Sequence, residues 1–460
     1  MGRERRTEGE AGCDMRSMTR LTVIRRGAQL ACVACFILSV VLIVRSIQVH
    51  GGLDEAQLGG GLIGPLLATI GVIALGAVLV FRPEQRTLGR LHWTSHTLAL
   101  LLFLAVTGVW YLVGTAVRTE PGIGVPVNQQ AEVDALLESS ANNAGASSGD
   151  GPYLVPTGVS IQSLEFLSAS NVQVTGYVWQ TYDASIPADV TRGFVLPEAV
   201  EEAYQAEEAY RQVDADGETI GWYFHAILRQ QFDYRQYPFD RQDVWIRLWH
   251  ADLDRNVVLT PNFTAYANID PTTLPGLEEQ FVYEGWDPGF TGFSIALNTY
   301  NTSFGLDREV GSATFPELYY NVGLQRDFLS PLLDHILALT VVALLLFATV
   351  RLTTMDETHQ RQRGNLVFEV LRFCAALLFV VILAHNGIRS AVTPDQIAYL
   401  EMFPFLLYAA LLLVAWNAIL LTSPKPPRLI VYQDNIVASL LYWPLLLGAL
   451  LLVTLFTLVW

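Results

Sequence analysis

The sequence predicts a multi-pass α-helical membrane protein carrying an exported all-β sandwich, in the order three helices, sandwich, four-helix bundle. Three observations predict it. Of 460 residues, 52% are hydrophobic and only 16% charged, against about a quarter charged in ordinary soluble domains, and the mean hydropathy is +0.34. The net charge of −16 is unevenly spread: residues 118–327 hold 30 Asp and Glu against 10 Arg, and the other 250 residues hold 14 acids against 18 bases. The acidic block alternates polar and apolar residues with period two. Its flanks stay apolar for about 20 residues at a time, enough to cross roughly 30 Å of hydrocarbon. This composition excludes disorder, a collagen, a disulfide-stapled miniprotein and a nucleic-acid-binding protein, which is basic.

Seven runs are long enough to span: 28–48, 61–81, 95–117, 329–350, 365–385, 402–422 and 437–460. Basic residues mark the cytoplasmic flanks of such spans. Here they sit at Arg3, Arg5, Arg6, Arg16, Arg20, Arg25 and Arg26, at Arg82, Arg86 and Arg90, at Arg351, Arg361 and Arg363, and at Lys425 and Arg428. All agree with one topology in the cell (plasma) membrane: N-terminus cytoplasmic, 118–327 extracellular or periplasmic, C-terminus outside. The domains expected are a basic N-terminus (1–26), three transmembrane helices (27–117), a flexible linker (118–152), a sandwich (153–327) and a four-helix membrane domain (328–460). The linker reading rests on the stretch SSANNAGASSGDGP. Arg45 closes the first span as an anchor does, with no small-residue cleavage site after it.

Within 153–327, Val172, Val174 and Val178 share one side of a strand, opposite Tyr177 and Trp179. Val244, Ile246 and Leu248 alternate with Trp245, Arg247 and Trp249, and Leu318, Tyr320, Val322 and Leu324 repeat the pattern just before the membrane. With turn signals at Asp216-Gly217 and Pro275-Gly276, this predicts short strands with one buried face. The acidic stretch 198–213 is open between a short helix and a surface excursion. Cys13, Cys32, Cys35 and Cys374 all lie outside the block, so it folds without disulfides. Cys32 and Cys35 read as apolar-helix residues. Glycines at 59–61, 64, 71 and 76 permit close helix packing. His92 and His96, at i, i+4, lack a third ligand, and the reading is interfacial packing, with no metal and no cofactor. No nucleophile elbow, zinc-protease motif or Walker loop is present in the sequence, and no enzymatic activity is expected.

Residues 232–242 read FDYRQYPFDRQ. This resembles the signature loop of pentameric ligand-gated ion channels, in which an aromatic-Pro-Phe-Asp-x-Gln run joins two strands near the membrane. GVSIQSLEFLSASNVQVTGYVWQTYD (158–183), DGETIGWYFHAILRQQFD (216–233), Gly285-Trp286 and FPELYYNVGLQRDF (315–328) resemble further strands of that family, in order, over about 310 residues. Gln230 and Val244 stand where many members carry cysteines, as in the prokaryotic, bacterial type, and the three leading helices are an addition. The resemblance implies a coupling loop of Tyr237, Pro238, Phe239, Asp240 and Gln242 facing Arg326, with Glu165 as a weaker member. It implies a ligand site between neighbouring subunits, with Trp179, Trp222, Tyr223, Trp249, Trp286 and Tyr300 as candidate aromatics and 298–314 as its capping loop. Aromatic rings on an acidic surface suit a cationic ligand.

The resemblance makes the helix at 365–385 the pore lining. One register gives an apolar face of Leu366, Val370, Cys374, Leu377, Val381 and Ala384. The other gives Asn365, Glu369, Phe373, Ala376 and Val380, with a carboxylate near the cytoplasmic mouth that Arg372 can pair. The expected protein is a homopentameric membrane receptor-channel, gated by an extracellular small molecule or protons and passing ions, cations favoured. Its partners are the lipid bilayer, itself, its ligand and permeant ions, with no nucleic acid. The alternative is a non-conducting membrane sensor using the same sandwich.

Overall fold

The computed structural model describes residues 88–116, 121–143, 152–215, 217–278, 285–305, 314–353, 366–392, 396–425, 427 and 435–459. The spans expected at 28–48 and 61–81, with Cys13, Cys32, Cys35 and the glycines at 59–76, lie outside the described residues. The chain forms two compact units. Met1–Ala116, Leu332–Ile388 and Tyr399–Trp460 make one, and Val117–Pro331 with Arg389–Ala398 makes the other.

Among the described residues the second unit has ten strands: β1 Val125–Val127, β2 Tyr153–Ser168, β3 Asn171–Asp183, β4 Phe194–Val195, β5 Gln205–Val213, β6 Gly217–Arg229, β7 Arg241–His250, β8 Val257–Pro261, β9 Trp286–Thr299 and β10 Thr314–Arg326. They pair as two five-stranded sheets, β1-β9-β10-β7-β4 and β5-β6-β3-β2-β8, an arrangement compatible with a sandwich. The ladder between β2 and β8 is parallel. Period-two patterning sets the buried faces. Val172, Val174 and Val178 of β3 are buried, as are Ile220, Phe224 and Leu228 of β6. In the other sheet the buried residues include Val244, Ile246 and Leu248 of β7 and Leu318, Tyr320, Val322 and Leu324 of β10. Trp179 lies flat over its cross-strand partner Gly158, where a Cβ would fall 2.1 Å from the indole. Only glycine leaves that space.

One expectation is revised here, and one alternative left open is decided in favour of a surface excursion. Within 118–152, read as a flexible linker, β1 pairs with β9 and a helix runs over Gln130–Asn143. Glu132 in its first turn accepts the Asn128 N–H at 2.7 Å, tying the chain just before the helix to that turn. Val133 is fully buried. The Ser- and Asn-rich residues that follow masked this helical stretch when composition was averaged over the whole segment. In 198–213, a 3-10 turn at Glu201–Ala203 leads into β5, an edge strand exposed along its entire length. Its carboxylates are partly neutralised by Arg211, which reaches Glu208 at 2.8 Å and Glu218 at 2.7 Å.

With the first helix at Leu88–Thr115 as α1 and Gln130–Asn143 as α2, the remaining helices are α3 Leu329–Leu352, α4 Leu366–Ser390, α5 Met402–Leu421 and α6 Ile436–Leu458. Five of the described helices, all but α2, are long and apolar enough to cross a membrane. α1 begins seven residues before the span expected at 95, and α4 continues five residues beyond 385. Polar side chains join α1 to its neighbours. Ser95 donates to the Leu440 carbonyl at 2.6 Å, and Trp110 donates to the Tyr399 hydroxyl at 2.7 Å. The Tyr399 hydroxyl lies 2.7 Å from Thr454 Oγ1. Without water to compete, such bonds and close packing hold apolar helices together. On α3, Tyr442 donates to the Ala343 carbonyl at 2.7 Å and Asn435 to that of Val350 at 3.4 Å.

Candidate functional site

The loop 230–240 connects β6 to β7. At its base Gln230, buried, donates through Nε2 to the Trp245 carbonyl and accepts the Trp245 N–H at 3.4 Å. A side-chain amide thus clasps the base of the loop. Inside the loop, Tyr237 and Phe239 are buried on either side of Pro238, and Phe239 packs on Phe328 with ring centroids 5.0 Å apart. Asp240 is 1% exposed. Arg326, at the end of β10, donates Nε to its Oδ1 at 2.7 Å and Nη2 to its Oδ2 at 3.0 Å. Such a two-point bond fixes both partners in orientation as well as distance. Gln242 completes the cluster, with Nε2 2.8 Å from Asp240 Oδ2 and 2.9 Å from the Asp233 carbonyl.

The guanidinium of Arg326 also stacks over Trp286 at 4.1 Å and Tyr237 at 5.0 Å. Trp286 in turn stacks on Phe166, which meets Phe232 edge-on. Buried charge, carboxylate and rings form one block around Asp240, and desolvation makes its loss costly. Burial pushes the nearby Tyr234 hydroxyl up to about 12. The connection between α4 and α5 joins this block. Gln396 accepts the Tyr234 N–H at 2.7 Å and donates to the Phe232 carbonyl at 3.2 Å, and Arg389 donates to the Gln396 carbonyl at 2.9 Å. Glu165 is exposed on β2 and has no ion pair among the described residues.

The six aromatic candidates separate. Trp249 and Tyr300 come together edge-on at 5.9 Å, joined by Phe304 at 6.1 Å and 5.2 Å. Trp286 belongs to the Asp240 block. Trp222 is buried beside Phe194, and Trp179 packs against Tyr266 and Gly158. Tyr223 is exposed beside Tyr177. Beneath the Trp249 ring lies Arg247, its guanidinium 5.0 Å from the ring centre. Arg247 bonds Glu198 through Nη2, and lies 3.4 Å from Glu317 and 3.3 Å from the Tyr300 hydroxyl through Nη1. Tyr300 donates to Glu317, and Asn298 does so at 2.6 Å. Glu198, Glu317 and Gln396 were not among the residues the sequence singled out, Arg247 was read only as part of a strand alternation, and Phe304 lies in the stretch 298–314 expected to cap the site. On alternating strands, charged residues on the outer face look like ordinary solvated positions.

On α4, Val370, Cys374, Leu377 and Val381 are buried within the chain, whereas Glu369, Arg372, Phe373, Ala376 and Val380 are exposed. Arg372 Nη1 lies 3.3 Å from Glu369 Oε1, one helical turn away. Near the end of α4, His385 Nε2 is 3.2 Å from Glu401 Oε2 and Nδ1 is 3.3 Å from the Tyr408 hydroxyl. His92 and His96 stack on each other at 6.3 Å, and Arg351 approaches His92 to 3.4 Å. Among the described residues, no cluster of three or more His, Cys, Asp or Glu side chains comes together. No protein-family model matches the chain, and no curated protein matches it.

Proposed function

We propose that the chain is a membrane receptor-channel, assembling as a homopentamer, whose exported β unit receives an extracellular ligand or protons and whose α3–α6 helices pass ions, cations preferred. The observation that carries this reading is the Asp240 block. A loop between two strands, the last strand before the helices and the connection between α4 and α5 meet there through Arg326, Gln242 and Gln396. A change in strand packing therefore has a hydrogen-bonded route to the end of α4. The exposure of Glu369, Phe373, Ala376 and Val380 favours the carboxylate-bearing register as the pore face, because the other face is consumed by packing within the chain. The Trp249–Tyr300–Phe304 rings above two carboxylates are the candidate ligand site, suited to an organic cation.

Helix directions agree with the proposed topology. α1 meets α6 through Ser95 with Leu440, and its other end meets Thr454 through Trp110 and Tyr399, so the two run the same way. α3 runs opposite to α6. That is the pattern expected if α1 and α6 both leave the cytoplasm and α3 returns to it. One observation favours the non-conducting sensor: Glu369 is paired by Arg372, and the rest of that α4 face is apolar. Reconstitution of the full chain in planar bilayers separates the two. The channel passes current on pH steps or on addition of organic cations; an intact oligomer that stays silent under both is the sensor.

A further inference from the structure

We propose that Glu198 is a proton-binding site that sets the charge beneath the Trp249–Tyr300–Phe304 rings. Two carboxylates, Glu198 and Glu317, share one guanidinium, that of Arg247, and both are shielded, with side chains 12% and 6% exposed. Their hydrogen bonding is unequal. Glu317 meets four donors: the Tyr300 hydroxyl, Asn298 Nδ2 at 2.6 Å, the Tyr319 hydroxyl at 3.3 Å and Arg247 Nη1 at 3.4 Å. Glu198 meets two, Arg247 Nη2 and its own backbone N–H. Donors aimed at a carboxylate stabilise its charged form, so of two neighbouring acids the one with fewer donors takes the proton first.

Among the described residues, Arg247 is the charged side chain that contacts the Glu198 carboxylate. Around that guanidinium, which β7 presents, stand Glu317 of β10 and Tyr300 just past β9, with Tyr319 of β10 against Glu317. β6 holds the backbone of Glu198 in place, through the Arg229 N–H at 3.0 Å. Burial raises the Glu198 carboxyl above its ordinary range; Arg247 pulls it down, and Glu317 adds a smaller push upward. Proton uptake leaves Arg247 with a single charged partner, and the formal charge of the Glu198–Arg247–Glu317 group passes from −1 to zero. An external proton signal thereby reaches the face of β7 that carries Trp249. This inference gives the proposed ligand site its proton dependence, yet the uptake itself needs neither ligand nor current.

Infrared difference spectroscopy of the full chain in liposomes, titrated between about pH 8 and about pH 4, tests it. The carboxyl band of a protonated Glu198 appears above the ordinary carboxylate range in the wild type and is missing from that range in Glu198→Gln. In Glu317→Gln, with the like charge removed, the same band appears at lower pH. A band that persists unchanged in Glu198→Gln overturns the proposal, as does a Glu317→Gln titration that moves upward. Retention of the wild-type far-ultraviolet circular dichroism in both variants certifies that each is folded. Because the readout is a proton on a named carboxyl, it succeeds or fails independently of whether the protein conducts.

Discussion

Asp240 and Arg326 carry the densest set of contacts around the proposed coupling loop. Replacing Asp240 with Asn strands a shielded guanidinium between Trp286 and Tyr237, and breaking such a pair costs about 3 kcal/mol or more; thermal unfolding of the purified chain measures it. Arg326→Ala is expected to leave ligand binding intact and abolish opening, read as binding without current. Glu198 predicts a pH effect with a definite sign. Its folded-state carboxyl titrates higher than in the unfolded chain, so folding binds a proton in the window between the two. The stabilisation is complete at low pH and is lost as pH rises through the folded-state midpoint. Unfolding free energy measured across that window should fall in the wild type and stay flatter in Glu198→Gln. The Asp240 block was legible because a contiguous motif named its loop and the chain order named Arg326. Glu198, Glu317 and Gln396 were not, since each acts through a partner distant in sequence and sits in a locally unremarkable context.

At the scale of elements, α1 is the part that the resemblance did not supply. Its bonds to α6 and to Tyr399 make it an integral member of the helical unit. Tyr399→Phe removes the acceptor for Trp110 and the contact with Thr454, and should lower helical-unit stability by about 1 kcal/mol, the range of interhelical bonds in membranes. Unfolding in mixed micelles, compared with Trp110→Phe, reads it; additive losses would show that the two side chains do not share one bond. Strand phases were legible throughout the sheets because period two is set by the pleat, as β3 and β7 show. Helix α2 was not: its apolar positions Val133, Leu136 and Leu137 were averaged with the Ser, Asn and Gly residues after them. β5 had the composition of a helix, and sheet pairing with β6 overrode it.

For the whole molecule, the uneven charge seen in the sequence divides along the same line as the structure, with acidic strands in one unit and apolar helices in the other. The five spanning-length helices among the described residues match five of the seven runs read from hydropathy, and the paired strands were readable from periodicity. The face that α4 turns away from its own chain was not, because both registers were apolar enough to pack, and only the burial of Val370, Cys374, Leu377 and Val381 separates them. A face rich in exposed Phe, Ala and Val with one carboxylate needs either lipid or further copies of the chain against it. Native mass measurement should give five copies; a monomer or dimer contradicts the pentamer.

The most direct test of the central claim is the reversal potential of current through the reconstituted full chain under a potassium chloride gradient. The account predicts an acid- or ligand-evoked current that reverses near the potassium equilibrium potential and shifts toward zero in Glu369→Gln. An intact oligomer that passes no current under either stimulus, or a reversal potential that Glu369→Gln leaves unmoved, contradicts it.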